Sequence, residues 1–331
     1  MSDPSTRALW LAPPHRAFIR GDTLGPLAAD HLRVRTRFSA ISKGTETLVY
    51  AGGVPESEYA RMAAPFQAGR LPDAVRHGYA NVGVVEDGPT EWINRVVFCL
   101  FGHQTRYDVP IDAVVALPDH VPSERAVLAA NMETAVNALW DAGPRVGDRI
   151  SIVGAGVLGA LVALLAGDIP GVHVELIDID TGRAALARAL GVDFSEPHAA
   201  SGERDLVFHA SASADGLNTA LGLAGTEATI IEMSWYGDQA TPATLGGAFH
   251  AKRLTLRATQ VGTVAPARAA RWSHARRLAL AVSMCGDARL DALFEDTDAA
   301  FDTLPDVMAR LARPGDRSLC QRIIYPEIGD V

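Results

Sequence analysis

Three glycines near the middle of the chain have the spacing of a diphosphate-binding turn. Gly154, Gly156 and Gly159 form a G-x-G-x-x-G motif between the apolar segments RISIV and VLGALVALLA. In such a motif the first glycine makes a tight turn, the second lets the backbone approach a pyrophosphate, and the third lets a helix pack on a strand. A helix that starts at Val157 and Leu158 would also direct unpaired N–H groups at the phosphates. The segment predicts a dinucleotide-binding turn; the alternative is a glycine turn without a ligand.

Polar residues at the ends of the following segments are candidates for binding the rest of the nucleotide. Asp178 ends the segment VELIDID, about twenty residues after the motif, where a carboxylate binds ribose hydroxyls and repels a 2′-phosphate. The sequence therefore predicts NAD(H) rather than NADP(H). Arg183 is spaced to reach the adenosine end, with a solvated helix residue as an equal alternative. Ser211, Ser234 and Gln260 are further candidate cofactor ligands, and Gln260 is expected to reach the carboxamide.

A second set of reactive side chains lies in the first third of the chain. The segment SKGTE, residues 42–46, places an ammonium, a hydroxyl and a carboxylate around one glycine, between two apolar stretches. We expect a tight turn that forms the floor of a cleft. For each residue a simpler interpretation stays open: Lys43 as a solvated surface lysine, Thr45 as a hydroxyl that bonds its own backbone, and Glu46 as a brace of the turn.

The elements that must position these residues change character at Ser123. Before it, segments such as HLRVRTRFSAIS alternate polar and apolar residues, which is typical of half-buried strands. After it, strand-like segments alternate with helix-like segments of about 10–15 residues, which indicates βαβ units around a parallel sheet. The last segment, CQRIIYP, predicts a strand that pairs back into the first domain. A length of 331 residues also favours two domains.

Composition excludes several classes of protein. The formal net charge is −9 and the isoelectric point about 5.6, so no basic face for nucleic acid is expected. The three cysteines, Cys99, Cys285 and Cys320, form no C-x-x-C pair and favour a reducing compartment. The uncharged stretch Ile150–Gly167 is rich in glycine and alanine and fits the nucleotide motif better than a membrane span. With no signal-peptide layout at the N-terminus, the sequence predicts a cytoplasmic protein without nucleic-acid or membrane partners.

Over nearly its full length the chain resembles the medium-chain dehydrogenase/reductase superfamily. VRTRFSAISKGTE is similar to the zinc-ligand turn of that family, HGYANVGVVEDG to its GHE-x-x-G-x-V segment, and GDRISIVGAGVLG with IDIDTGRAALARALG to its cofactor signature. The spellings SxISxGTE and GYxxVGxV are most similar to the bacteriochlorophyllide dehydrogenase branch. The resemblance implies an α/β fold with a GroES-like β-barrel catalytic domain at 1–122 and 263–331. It also implies a Rossmann doubly wound parallel sheet at 123–262.

The same resemblance implies that the catalytic zinc is missing. Lys43 stands at the usual cysteine of the turn, Leu48 at a frequent histidine, and Tyr79 and Ala80 at the His-Glu of GHE. The four-cysteine structural zinc lobe is absent from the sequence. Glu133, in NMETAVNAL, matches a position where some members supply a metal-binding carboxylate. Since zinc needs three or four ligands, the sequence predicts no metal.

The resemblance then suggests what replaces the metal. An ammonium at Lys43 would polarise the substrate oxygen, Thr45 matches the relay hydroxyl of the family, and Tyr79 could donate a proton, with a nearby lysine easing its ionisation. Glu133 would brace or neutralise the lysine from the connecting helix. Packing for Tyr79 and a salt bridge or helix cap for Glu133 remain alternatives.

Three more residues are candidates for the substrate pocket. His103 lies in the polar segment FGHQTRY and could titrate there near neutral pH, although a plain surface histidine is the simpler interpretation. Trp235 and Tyr236 follow the fifth strand of the predicted parallel sheet. They are placed either to line the entry of a bulky substrate or to cover a domain seam.

Three functions compete. The first is a zinc-independent NAD(H)-dependent alcohol dehydrogenase or carbonyl reductase acting on a small alcohol or carbonyl substrate. The second is a quinone- or enoyl-type reductase, which usually takes NADPH and is disfavoured by Asp178. The third is a dinucleotide-binding protein without turnover, which the missing zinc ligands keep open. A homodimer is expected because RLTLRATQVG would be an exposed edge strand.

Overall fold

The two kinds of sequence pattern form two separate sets of elements in the computed structural model, which describes residues 5–326. Contacts divide the chain into two compact units. Among the described residues, the first unit comprises 5–130, Leu278–Asp287 and 294–326, and the second comprises Asn131–Arg277 and Ala288–Leu293. Each unit has its own sheets and its own core.

The first unit is built on two sheets that are antiparallel except for the parallel pair of β16 and β17. One sheet has the order β2-β1-β5-β4, and the other has the order β16-β17-β3-β6-β7-β9 with β8 also paired to β3. In the ten-residue strand β3, Leu32 and Val34 lie fully inside the core. Arg33 and Ser39 on the opposite face are buried as well, so β3 is more fully buried than the alternation in its sequence predicts. The strands are β1 (Ser5–Ala12), β2 (Arg16–Thr23), β3 (His31–Ala40), β4 (Ala68–Gly69), β5 (Val75–Arg76), β6 (Asn81–Asp87), β7 (Val96–Cys99), β8 (Arg106–Pro110), β9 (Val114–Ala116), β16 (Ala299–Ala300) and β17 (Arg322–Ile324).

The second unit is built on one parallel sheet in the order β12-β11-β10-β13-β14-β15. The strand order reverses between β10 and β13, and that reversal opens a crevice at the carboxyl ends of the strands, where ligands of doubly wound folds bind. The fold class predicted from the sequence is therefore confirmed. The strands are β10 (Arg149–Val153), β11 (His173–Ile177), β12 (Asp193–Ser195), β13 (Arg204–His209), β14 (Ala224–Glu232) and β15 (Thr255–Ala258).

Helices connect these strands. Helix α4 ends at Leu190, because Gly191 adopts a left-handed φ of 76° that closes the last turn. Helix α2 follows a short 3₁₀ turn and starts at Ala129, six residues after the change in sequence pattern at Ser123. The helices are α1 (Lys43–Ala51), α2 (Ala129–Ala142), α3 (Val157–Gly167), α4 (Arg183–Leu190), α5 (Ala214–Leu223), α6 (Pro266–Ala269), α7 (His274–Met284) and α8 (Leu304–Leu311).

The predicted return of the last strand is confirmed, since β17 pairs antiparallel with β3. Residues 263–277, which the sequence analysis places with the catalytic domain, lie in the second unit. The buried side chain of Arg277 bonds Glu133 and Asn137 on α2 and holds them there. β15 is the sheet edge and its residues are exposed, as expected; its pairing in a homodimer stays a prediction.

The expected tight turn at residues 42–46 is wrong, because the structure starts helix α1 at Lys43. The local reason is Glu46, whose Oε1 accepts a hydrogen bond of 2.8 Å from the N–H of Ser42 and so satisfies the helix start. Reactive side chains that a loop would scatter are therefore held on the first turn of a helix.

Within residues 5–326 no helix is long and apolar enough to cross a membrane. The uncharged stretch after β10 contains the eleven-residue helix α3, which is almost entirely buried. Its apolar residues pack against the strands β10 and β11 and against helix α4.

Gly159→Ala should destabilise the second unit. A β-carbon at Gly159 would lie 1.9 Å from the carbonyl oxygen of Gly154, so the helix would have to move off the strand. We expect a loss of about 1–3 kcal/mol in the free energy of unfolding, measured by chemical denaturation. The control is Gly222→Ala in α5, where a β-carbon meets nothing within 4 Å. It should leave stability unchanged or raise it by up to about 1 kcal/mol, and an equal loss in both variants would contradict the packing argument.

Candidate functional site

The glycine turn has the geometry that a diphosphate needs. Gly154 has a left-handed φ of 109°, and a β-carbon there would lie 2.7 Å from the backbone nitrogen of Ser211. Gly156 is exposed, and a β-carbon there would point into open space. Val157 and Leu158, both half-buried, begin helix α3 directly behind that space. The turn therefore leaves room for an anion at a helix N-terminus and fits the pyrophosphate of a dinucleotide.

Asp178 lies where the sequence analysis expects an acid, directly after the end of β11. Its carboxylate accepts hydrogen bonds from the N–H of Ala155, at 2.7 Å, and from the N–H of Asp180, at 2.9 Å. The acid is thereby oriented at the glycine turn. Arg183 lies 3.7 Å from the carboxylate of Asp180, so its guanidinium is part of an ion pair, and its predicted contact with adenosine stays a prediction.

The carboxyl ends of β13 and β14 carry a hydrogen-bonded chain that the sequence analysis missed in part. His209 and Glu232 are partners in the sheet register and end their strands side by side. The ring of His209 is 0% exposed; its Nδ1 lies 2.8 Å from Glu232 and its Nε2 lies 2.7 Å from the hydroxyl of Ser211. Sequence reasoning found Ser211 but neither His209 nor Glu232. A polar residue that closes each of two consecutive apolar strands is the signal that could have found them.

The loop after β14 closes this chain from one side. Glu232 accepts hydrogen bonds from the N–H of Ser234 at 2.7 Å and from the hydroxyl of Tyr236 at 3.1 Å. Burial alone would raise the pKa of Glu232, but the bond and the charge of His209 outweigh it and lower the pKa below its usual range. Burial, followed by the Glu232 charge, raises the pKa of Tyr236. The carboxylate is therefore ionised and the phenol neutral at ordinary pH.

The remaining candidates of this unit lie farther along. Trp235 is half-buried, and its predicted place at a substrate entry stays a prediction. Gln260 is exposed, and its side-chain oxygen accepts a hydrogen bond of 2.6 Å from the N–H of Gly262. The amide nitrogen of Gln260 remains the group with which it could reach a carboxamide.

In the first unit the start of α1 brings hydroxyls together around Tyr79. The hydroxyls of Ser42 and Thr45 lie beside the phenol, and the nearby carboxylate of Glu46 is 0% exposed. Burial, and then the Glu46 charge, raise the pKa of Tyr79 to about 12, although the two hydroxyls lower it slightly. The expected easier ionisation of this phenol is therefore wrong, because a raised pKa keeps the phenol neutral at ordinary pH.

His103 lies in the core of the first unit and is 0% exposed. The expected position on an exposed polar loop is therefore wrong. The Nδ1 of His103 lies 2.8 Å from the hydroxyl of Ser39 and its Nε2 lies 2.9 Å from Glu46, so both ring nitrogens are occupied. Nearby, the buried Nε2 of His77 has no hydrogen-bond partner among the described residues. Burial, with the nearby His103, lowers the pKa of His77, which therefore stays neutral.

Lys43 has a partner in the first unit. Its ammonium donates to the carboxylate of Asp316 at 2.7 Å and to the carbonyl oxygen of the same residue at 2.5 Å. The side chains are 30% and 12% exposed. Burial would raise the pKa of Asp316, but the bonds from Lys43 and Ser318 outweigh it and lower that pKa. The ammonium is thus compensated by a carboxylate, and its predicted role in place of zinc stays a prediction.

Glu133 lies in the second unit and forms the salt bridge that the sequence analysis kept as an alternative. Its Oε1 accepts a hydrogen bond of 3.0 Å from Nε of the fully buried Arg277. Burial raises the pKa of Glu133, and the Arg277 charge lowers it by less. The pair is part of the packing of α2. Within residues 5–326, no group of three His, Cys, Asp or Glu side chains is arranged to hold a metal ion.

Comparisons with known proteins bear on the fold. No protein-family model matches the chain. A segment of 84 residues is 38% identical to L-threonine 3-dehydrogenase of Chelativorans sp. strain BNC1 and covers 25% of this chain and 24% of that protein, so the match spans about a quarter of the curated relative.

The structure of L-idonate 5-dehydrogenase from Escherichia coli K-12 is 15% identical, with a TM-score of 0.79 over 98% of this chain and 99% of that one. A provisionally assigned zinc-binding dehydrogenase from Sinorhizobium meliloti 1021, bound to NADP, is 15% identical, with a TM-score of 0.77 over 97% and 99%. At this identity the structural likenesses show that the chain has the fold of these dehydrogenases.

Proposed function

We propose that the chain is a member of the medium-chain dehydrogenase/reductase superfamily that transfers hydride between NAD(H) and an alcohol or carbonyl substrate without zinc. The observation that carries the proposal is the glycine turn with its open space at Gly156, next to the oriented carboxylate of Asp178. A diphosphate and a ribose diol are the groups that such a pair binds. The names of the similar proteins, which are dehydrogenases, support the same class.

The bound nicotinamide would supply or accept the hydride, and the chain's own residues would handle the proton. Tyr79 is the proposed donor, because its phenol stays protonated and lies beside the hydroxyls of Ser42 and Thr45. Donation of its proton to a substrate oxygen stabilises the charge that develops there, which zinc does in other enzymes of this fold. The residue types at positions 43, 48 and 79 support the proposal that no zinc takes part.

A second candidate is a reductase that uses NADPH on a conjugated carbonyl compound. The observation in its favour is that the similar Sinorhizobium meliloti structure holds NADP. Against it stands Asp178, since a carboxylate next to the ribose repels a 2′-phosphate. Cofactor preference therefore separates the two candidates.

The first prediction concerns cofactor preference. NADH should bind at least about tenfold more tightly than NADPH, because the Asp178 carboxylate repels the extra phosphate. The measurement is a titration that follows energy transfer from tryptophan to the reduced nicotinamide. Asp178→Ser should reduce the preference for NADH over NADPH. Gly156→Ala should weaken the binding of both nucleotides, because its β-carbon enters the open space proposed for the phosphates. Tighter binding of NADPH by the wild type would favour the second candidate.

The second prediction concerns the proton donor. Tyr79→Phe should reduce kcat/KM on a panel of secondary alcohols and ketones by about 10²–10⁴-fold and leave NADH affinity unchanged. Since the pKa of Tyr79 is about 12, loss of the donor by ionisation should not slow carbonyl reduction below that pH. The matched control is Tyr50→Phe, a buried tyrosine whose hydroxyl bonds the carbonyl oxygen of His15 at 3.0 Å. Equal rates for Tyr79→Phe and wild type would remove Tyr79 from the mechanism.

The third prediction concerns Lys43. Because Asp316 already binds the ammonium, Lys43→Ala should reduce turnover less than Tyr79→Phe does and should lower the free energy of unfolding by up to about 1 kcal/mol. The contribution of the Lys43–Asp316 pair to the free energy of unfolding should be present at neutral pH. It should disappear in acid, as pH falls through the lowered pKa of Asp316.

Asp316→Asn is the matching control for that prediction. It removes the carboxylate, so it should lower stability similarly and leave turnover within a few-fold of wild type. A hundredfold loss of turnover in Lys43→Ala, with Asp316→Asn active, would instead restore Lys43 as the cation that replaces zinc.

A further inference from the structure

The hydrogen-bonded chain Glu232–His209–Ser211 leads from a carboxylate that is 13% exposed, through a fully buried histidine, to a half-buried hydroxyl at the edge of the parallel sheet. Both ends of the histidine are engaged, with Nδ1 at 2.8 Å from the carboxylate of Glu232 and Nε2 at 2.7 Å from Ser211. The carboxylate also accepts from the Ser234 N–H and the Tyr236 hydroxyl. The side chains of Glu232, His209 and Ser211 are thus fixed in orientation by hydrogen bonds. Removing such polar groups from water costs free energy, so their presence at this position calls for a reason other than packing.

The position of this chain relative to the nucleotide site follows from the strand order. Asp178, after β11, lies on one side of the glycine turn, and Ser211, after β13, lies on the other. The backbone of Ser211 is in direct contact with Gly154 of that turn. A dinucleotide whose adenosine ribose binds Asp178 and whose pyrophosphate binds the turn extends its second half across the ends of β13 and β14.

That second half differs in charge between the two forms of the cofactor. The oxidised nicotinamide ring carries one positive charge and the reduced ring carries none. The three side chains of Glu232, His209 and Ser211 together have a net charge of −1 when His209 is neutral and of zero when His209 is protonated, because Glu232 is ionised. The groups that face His209 are Glu232 and Tyr236, with the hydroxyls of Ser211 and Ser234; Asp215, in the first turn of α5, is exposed. Histidine ordinarily changes charge between pH 5 and 8.

We propose that Ser211 binds the nicotinamide half of the dinucleotide and that His209 and Glu232 make this site sensitive to the cofactor's oxidation state. With His209 neutral, the uncompensated negative charge of Glu232 favours binding of the positively charged oxidised cofactor over the reduced one. Protonation of His209 cancels the preference. This inference rests on the proposed function, since it needs a nicotinamide dinucleotide at the site.

The sign of the linkage follows. A proton on His209 opposes the positive ring, so binding of the oxidised cofactor expels that proton, whereas binding of the neutral reduced ring does not. The ratio of the dissociation constants, NAD⁺ over NADH, should therefore fall by about tenfold as pH rises from 6 to 8.5.

The experiment is isothermal titration calorimetry of the wild-type protein with NAD⁺ and with NADH at pH 6, 7 and 8.5, in two buffers of different ionisation enthalpy. The buffers report protons released on binding, so no variant and no turnover is needed. NAD⁺ should release protons near neutral pH, and NADH should release fewer. Identical proton release for both forms, together with a constant ratio of dissociation constants, would overturn the proposal.

Variants then locate the effect. His209→Gln and Glu232→Gln should each make the ratio independent of pH, and Ser211→Ala should weaken both nucleotides about equally. The control is Glu175→Gln, which removes another buried carboxylate of the same sheet, one that bonds Ser195 at 2.5 Å within the body of the unit; it should keep the wild-type pH dependence. If Glu175→Gln abolishes that dependence as Glu232→Gln does, the charge chain is not its source.

Failure of the proposed function gives a different result from failure of this inference. If neither NAD⁺ nor NADH binds the wild type, both fail together. If both nucleotides bind and Gly156→Ala weakens them, but pH and Glu232→Gln leave their ratio unchanged, the cofactor assignment stands and the charge chain has no part in it.

Discussion

A β-carbon at position 159 would lie 1.9 Å from the carbonyl oxygen of Gly154, so helix α3 can begin beside β10 only with glycine there. The other groups of the second unit's site are built against that turn. The backbone of Ser211 packs on Gly154, and the carboxylate of Asp178 holds the N–H of Ala155. One close packing contact therefore sets the relative positions of the glycine turn, the carboxylate of Asp178 and the hydrogen-bonded chain that ends at Ser211.

Both units contain a buried histidine paired with a glutamate, and the difference between the pairs is informative. In the first unit His103 lies between Glu46 and a buried serine, so both of its nitrogens are satisfied inside the core. In the second unit the pair of His209 and Glu232 ends on Ser211, which is half-buried at the carboxyl edge of the sheet. A closed network of this kind stiffens a core, whereas a network that ends on an accessible hydroxyl can respond to a ligand.

Local patterns made part of this structure predictable. The glycine motif, the position of Asp178 and the returning last strand each depend on residue types within one or two consecutive elements, and the structure has them where the sequence analysis placed them. The pairs Lys43–Asp316 and His209–Glu232 depend instead on tertiary contact. Nothing in the periodicity of either segment specifies its partner, so the sequence did not identify Asp316 as the partner of Lys43 and passed over His209.

The charges in the first unit limit how the proposed chemistry can work. Asp316 compensates the ammonium of Lys43, and the donor that remains is the neutral phenol of Tyr79. With a pKa of about 12, that phenol is ionised in roughly one molecule in 10⁵ at pH 7. Carbonyl reduction uses the protonated phenol, which is nearly all of the protein, whereas alcohol oxidation needs the rare phenolate as a base. Under the proposed function, the resting protonation state therefore suits reduction at neutral pH, and oxidation becomes faster only as the solution becomes more alkaline.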